Sequence, residues 1–234
     1  MSSVTSSILR PLRGLFLGAP GAGKGTQTSR LLKDFPHIAS LSSGDLLRRN
    51  IQDHTPIGRE VHAIIEKGDL VPDQTMVNLV TGELEANHWL NDRSSWILDG
   101  FPRTVAQAPP LDEVLQKHNA LLNVVVQLKV PEEVILDRIE NRFVHLPSGR
   151  VYNLTFNPPK VPGKDDVTGE PLSKRPDDRA DVFQQRINKY HQLTLPLLEY
   201  YDKQGILHAV EGETSDIIYP KLKKLIEDLF ASQH

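Results

Sequence analysis

Gly14-Leu15-Phe16-Leu17, followed at once by Gly18-Ala19-Pro20-Gly21-Ala22-Gly23-Lys24-Gly25-Thr26, is the stretch that decides the fold. The first four residues read as a strand, and the residues after Lys24 open a helix. In that setting the glycines let the backbone close around an anion, and the helix N-terminus offers its free N–H groups. Lys24 adds a mobile point charge for the β and γ phosphates of a nucleotide. Gly21, Ala22, Gly23, Lys24, Gly25 and Thr26 are therefore expected to hold a triphosphate. The generic motif has Ser or Thr directly after the lysine. Here Gly25 intervenes and the hydroxyl falls at Thr26, which argues against a direct metal bond from it. A glycine turn that merely caps a helix is the bland alternative.

Outward from this loop, short apolar runs at 14–17, 38–42, 96–99, 124–130 and 206–210 alternate with longer helical patterns. Strands alternating with helices imply an α/β fold with a doubly wound, five-stranded parallel sheet, whose ligands sit beyond the carboxyl ends of the strands. Two segments break the rhythm. Residues 42–71 read as a polar helical arm interrupted at Pro56 and Gly68, and residues 142–178 are rich in Pro and Gly around short strand-like pieces. An irregular stretch of that length inside a compact domain is the usual form of a lid. The core is then 14–41, 72–141 and 179–234, with 1–13 as a basic tail.

Composition bounds the rest. A 234-residue chain, 38% apolar and 24% charged, can bury a sizeable core and reads as soluble. With 27 basic and 30 acidic residues its net charge is -3, so nothing global points to nucleic acid or a membrane surface as partner. No apolar run approaches the roughly 20 residues of a membrane span. The absence of cysteine removes disulfides, thiol nucleophiles and thiolate zinc sites. The first acidic residue is Asp34, and Ser2, Ser3, Thr5, Ser6, Ser7, Arg10 and Arg13 give the head the composition of an organelle transit segment. A plain cytoplasmic tail is the alternative.

Further motifs follow in order: Ser42-Ser43-Gly44-Asp45-Leu46-Leu47-Arg48, Leu98-Asp99-Gly100-Phe101-Pro102-Arg103-Thr104, Gly149-Arg150-Val151-Tyr152, Asn157-Pro158-Pro159 and Lys174-Arg175-Pro176-Asp177-Asp178. With the phosphate loop, this series resembles the adenylate kinases over most of the chain. The resemblance implies a monomeric nucleoside monophosphate kinase that moves the γ-phosphoryl group of ATP or GTP reversibly to AMP. In it, 42–71 is the AMP-binding arm and 142–178 the lid. It also implies roles. Ser43, Arg48, Asp69, Val71, Gly100, Arg103, Gln107, Arg175 and Arg186 would bind AMP, with Gln107 reading the adenine. Gln107 lies four residues past Arg103, which places both on one side of the helix expected there. Arg138, Arg142, Val151, Tyr152 and Ser215 would join the loop around the triphosphate, and Asp99 would hold Mg2+ through water. Lys24, Arg103, Arg142, Arg175 and Arg186 would neutralise the transferring group, since chemistry at phosphorus asks mainly for positioning and charge compensation.

Some adenylate kinases tie the lid with zinc on four cysteines. The corresponding positions here look like His145, Ser148, Asp165 and Thr168, side chains that can close a hydrogen-bond network without zinc. A His and Asp metal pair is the alternative, short of the soft ligands of a structural site. Glu140-Asn141-Arg142-Phe143-Val144-His145 and Gly212-Glu213-Thr214-Ser215-Asp216-Ile217-Ile218-Tyr219-Pro220 resemble the mitochondrial branch that uses GTP, the GTP:AMP phosphotransferases. An ordinary ATP-using member is the rival within the family. A nucleotide-binding switch is the rival outside it, and would need Asn-Lys-x-Asp after a strand. The chain offers Asn188-Lys189-Tyr190-His191 instead.

Overall fold

In the computed structural model, which describes residues 10–230, Leu15 and Leu17 face one side of the first strand, while Leu12 and Phe16 face the other. All four are essentially excluded from water. A strand covered on both faces needs apolar residues at every position, which is why the run 14–17 is continuous rather than alternating.

The chain runs β1 (Arg13–Leu17), α1 (Lys24–Asp34), β2 (Ala39–Ser42), α2 (Ser43–Gln52), α3 (Pro56–Glu66), α4 (Asp73–Ala86), β3 (Trp96–Asp99), α5 (Ala108–Lys117), β4 (Val124–Lys129) and α6 (Glu132–Glu140). It continues through β5 (Arg142–Val144), β6 (Val151–Asn153), α7 (Ala180–Lys189), a wide π turn at Tyr190–Thr194, α8 (Leu195–Asp202), β7 (Leu207–Glu211) and α9 (Ser215–Phe230). The five expected strands are all present, with ends within one residue. They form one parallel sheet in the order β2-β3-β1-β4-β7, with Leu15 opposite both Leu98 and Val125. β1 is therefore central, and the phosphate loop leaves from the middle of the sheet's carboxyl edge.

Helices cover each face. Leu15, Leu17, Leu98 and Val125 pack under α4, α5 and α8, while Phe16, Ile97, Val124 and Val126 pack under α1, α7 and α9. Each such side chain contributes about 1.5–3 kcal/mol by leaving water. The arm is welded into the first layer through Leu46, Leu47 and Val61. Ser42 and Thr55 cap α2 and α3 by accepting from the backbone N–H groups of Asp45 and Gly58, and Pro56 sits in the first turn of α3.

Residues 142–178 depart from this pattern. β5 and β6 form a separate antiparallel pair, and none of the segment's described residues belongs to either core layer. At the other end, packed structure begins before residue 14: Leu12 is fully buried, and the Arg10 guanidinium donates to the Leu229 carbonyl. Residues 1–9 of the expected tail lie outside the described residues. Among the described residues no helix is long and apolar enough to cross a membrane.

Candidate functional site

At the carboxyl edge of β1 the chain turns through the glycine loop into α1. Unlike α2 and α3, α1 has no side-chain cap; its first turn holds no acidic residue, and its Ncap Gly23 is left-handed at φ 89°. The free N–H groups of that turn are open to an anion. Lys24 Nζ folds back onto the loop, donating to the Gly18 and Ala19 carbonyls at 2.9 and 3.1 Å. Gly21, at φ +83°, packs so tightly on α6 that a Cβ would lie 2.9 Å from Ile135, so the loop's shape is set by the helix behind it.

One cavity connects Lys24 to the arm. Its lining includes Ser43, Arg48, Asp69, Val71, Gly100, Arg103, Gln107 and Arg186 from the expected AMP set, between apolar walls of Leu47, Ile65, Phe101 and Met76. Gly100 makes the crossing possible. At φ +79°, a Cβ there would come within 3.1 Å of both Arg103 Nη2 and Ser43 Oγ. The Gly100 carbonyl accepts from Ser43 Oγ at 2.7 Å and Arg103 Nε at 2.6 Å, locking both side chains.

The charges in this cleft are poorly matched. Burial, with Arg186 as the largest cationic influence, pushes Arg103 down to about 10. Burial also lowers Arg175 to about 10, with Arg48 and Arg142 adding to the fall. Lys24 falls to about 8, first through burial and then through Arg103, Arg186 and Arg142, against the opposing pull of Asp99. Cations that depress one another's pKa values form a site awaiting negative charge. Some compensation exists. Arg48 pairs with Asp45, Arg186 with Asp177 at 2.8 Å, and Arg142 forms a two-pronged pair with Asp178.

Arg142 and Arg175 do not line the cavity. Arg142 is held by Asp178, and Arg175 Nη2 reaches to 4.0 Å from Asp45 of the arm. Arg138 lies on the far side of the phosphate loop, donating to the Ala22 carbonyl at 3.3 Å and the Glu213 carbonyl at 2.7 Å, with the Phe156 ring 5.9 Å away. Ser215 is beside it, since a Cβ on Gly23 would be 3.4 Å from Arg138 and 3.8 Å from Ser215 Oγ. Gly25 and Thr26 are exposed, as is Val151. The Tyr152 hydroxyl turns inward to Asp165 at 2.9 Å, leaving only its backbone for a nucleotide. Asp99 closes β3 next to the loop, 3.7 Å from where a Gly25 Cβ would be, with its carboxyl pushed up by burial.

The relation between Gln107 and Arg103 differs from the expectation of one shared helix. Arg103 precedes the short 3-10 turn Val105–Gln107, and its backbone N–H donates to Gln107 Oε1 at 2.7 Å. The two are joined by a hydrogen bond, not by helical periodicity. Sequence reasoning also missed Lys189, which pairs with Asp69, and Tyr190 and Thr194 of the π turn, which line the cavity. Thr194 Oγ1 donates to the Arg103 carbonyl at 2.8 Å. A π turn is a common device at functional sites, and Thr194 with Leu195-Pro196 was its faint sequence trace.

In the 142–178 segment, His145 Nδ1 meets Ser148 Oγ at 2.7 Å, and Thr168 Oγ1 donates to Asp165 at 3.0 Å. Three unforeseen members complete the network. Arg150 grips Asp165 with two bonds of 2.7 and 2.6 Å, Tyr152 donates to it, and Glu170 meets His145 Nε2 at 2.6 Å. The Arg150 guanidinium, with help from Thr168 and Tyr152, holds the Asp165 carboxyl far below the usual carboxylate range. A buried aspartate requires a cation, but no local feature of the sequence names Arg150 as that partner.

Comparison with known proteins agrees with this architecture. The adenylate kinase family model matches residues 16–206. A mitochondrial GTP:AMP phosphotransferase of Saccharomyces cerevisiae is 58% identical over 223 residues, 95% of each chain. Another protein of that name from strain ATCC 204508 / S288c is 58% identical over 91% of this chain and 94% of its own. An adenylate kinase of Vanderwaltozyma polyspora is 44% identical over 92% of this chain and 96% of its own. With the phosphate loop, the parallel sheet and a match across most of its length, the chain belongs to the adenylate kinase family.

Proposed function

We propose that this chain is a GTP:AMP phosphotransferase acting in the mitochondrial matrix. The observation that carries the proposal is the single cavity that joins Lys24 to Arg48, Arg103, Arg186 and Gln107. GTP as phosphoryl donor and the mitochondrial setting rest on 58% identity to proteins bearing that name and on the basic, hydroxyl-rich head of the sequence.

The triphosphate lies in the loop 18–26, and AMP occupies the cavity beneath the arm. An oxygen of the AMP phosphate attacks the γ-phosphorus, the bond from that phosphorus to the β-phosphate oxygen breaks, and the products are ADP and GDP. The attacking oxygen is already anionic, so no general base is required. Lys24, Arg103 and Arg186 meet the charge of the transferring group with pre-positioned cations, and Arg142 and Arg175 join them when residues 142–178 fold over the donor. The separation of 4.0 Å between Arg175 and Asp45 supports closure of the two segments against each other. Closure excludes the water that would otherwise accept the phosphoryl group.

Asp99 fits a magnesium ion held through water. Its carboxylate stands beside the loop and makes no side-chain hydrogen bond among the described residues. Magnesium would neutralise the β- and γ-phosphate oxygens. The 142–178 segment is held by its own hydrogen bonds in place of zinc. The cavity is complete within one chain, which supports a monomer.

A coupled assay with GTP, ITP and ATP as donors to AMP tests the proposal. GTP is expected to give the highest kcat/KM. Comparable or better values with ATP would return the chain to the ATP-using members, a reading favoured by its 44% identity to a protein named adenylate kinase.

A further inference from the structure

Gln107 is 2% exposed and lines the cavity beside its apolar walls. Its amide is held at both ends. Oε1 accepts from the Arg103 backbone N–H at 2.7 Å, and Nε2 donates to Asp73 Oδ1 at 2.8 Å. The same Asp73 oxygen accepts from Thr104 Oγ1 at 2.9 Å. A backbone N–H can only donate and a carboxylate can only accept, so this amide has one permitted orientation. A flipped amide would set Oε1 against the Asp73 carboxylate and Nε2 against an N–H, two unmatched contacts in a buried place.

Once these bonds are made, the amide keeps one lone pair on Oε1 and one hydrogen on Nε2. A 6-aminopurine presents an amino N–H next to the N1 acceptor, the complement of that pair. A 6-oxopurine presents an acceptor at position 6 next to an N1–H donor, the reverse pattern, and would need the flipped amide. We propose that Asp73 is a positioning residue that fixes the orientation of the Gln107 amide and thereby selects 6-aminopurine over 6-oxopurine monophosphates as acceptors. The proposal rests on the reading of this cavity as the acceptor site. Asp73 touches no substrate; it acts through Gln107.

Steady-state kinetics of the full chain with AMP and IMP as acceptors, at saturating GTP, test it. Asp73→Ala is expected to lower the ratio of kcat/KM for AMP to that for IMP about tenfold or more, mainly through the KM for AMP, with the KM for GTP unchanged. Asp73→Asn should keep the ratio, because its Oδ1 can still accept from both Gln107 and Thr104. In a Gln107→Ala background, adding Asp73→Ala should leave the ratio where Gln107→Ala alone puts it. Asp73 also opens α4, and a purely structural role would lower turnover of AMP and IMP in parallel with melting temperature. If Asp73→Ala folds too poorly to assay, Asp73→Ser keeps a good helix start while falling short of Gln107. A ratio unchanged by loss of Asp73 but lowered by Gln107→Ala overturns the positioning role and leaves the acceptor site standing. A ratio unchanged by Gln107→Ala overturns the acceptor-site reading, and the proposal with it.

Discussion

The cleft and the 142–178 segment both gather charged side chains, and they treat charge in opposite ways. In the segment, Asp165 receives two bonds from Arg150 and further bonds from Tyr152 and Thr168, so its carboxylate is fully satisfied inside the protein. In the cleft, Lys24, Arg103 and Arg186 crowd together, and burial with repulsion among cations lowers the pKa of each. Charge that is closed on itself holds a shape. Charge left open binds a ligand, and the protein bears the electrostatic strain until the ligand arrives.

The sharpest way to break this contrast is Lys24→Ala. If the open charge serves catalysis, kcat/KM should fall at least about a hundredfold, about 2.7 kcal/mol or more, in the coupled assay. Retention of more than about a tenth of the activity would remove Lys24 from the transferring phosphate.

Next in size is a pair of matched substitutions whose effects should have opposite character. Arg103→Met is expected to cost at least about tenfold in kcat/KM for AMP while leaving the melting temperature unchanged or higher, because a like-charge repulsion is relieved. Arg150→Met is expected to lower the melting temperature, because it strands the Asp165 carboxylate without its cation. Calorimetry and kinetics on the two variants decide it, and a lower melting temperature for Arg103→Met would mean that the cleft arginines are structural.

These regions were legible in the sequence to different degrees. The loop 18–26 and the five strands were readable because the glycine spacing and doubly apolar runs are local consequences of backbone geometry and burial. His145, Ser148, Asp165 and Thr168 were readable as a group. Arg150 and Glu170 were not, because nothing local marks which charged residue of a Pro-rich segment turns inward. Asp73 was hidden for another reason. Pro72-Asp73 reads as an ordinary helix start, and only the tertiary fold sets it against Gln107, 34 residues away. The assumed helical link between Arg103 and Gln107 failed because proximity in sequence was mistaken for periodicity.

A pH series should separate the regions with smaller effects. Lys24 titrates at about 8, below its ordinary value, so kcat/KM for the triphosphate should decline above about pH 8 as the free enzyme loses that charge. Bound phosphates favour the ammonium, and kcat should hold to higher pH. Between about 8 and the ordinary lysine value the unfolded chain carries more protons, so this group makes stability rise with pH. Asp165 acts in the opposite range. Its lowered pKa contributes stability that is complete above the ordinary carboxylate value and is lost as pH falls toward the folded-state value. Acid should therefore loosen residues 142–178 first, as read by hydrogen exchange. Unchanged exchange in that segment on acidification would contradict the closed network.

The smallest expected effect is none at all. Chelator should leave the melting temperature unchanged, and elemental analysis should find no stoichiometric zinc. A large drop in melting temperature would show that a metal supports the segment.

Among the described residues, none of 142–178 enters either hydrophobic layer, whereas the arm contributes Leu46, Leu47 and Val61 to one of them. The two insertions consequently differ in how freely their sequences can drift. A change in the arm is felt by the folding equilibrium of the whole domain, and tolerated replacements there are limited to those that preserve volume. Residues 142–178 answer mainly to their own polar lattice and to the points where they leave α6 and rejoin the chain ahead of α7. Such a module can be lengthened, shortened or refitted with a different internal clasp while the sheet beneath it stays intact, so a family built on this plan can diversify its cover without renegotiating its core.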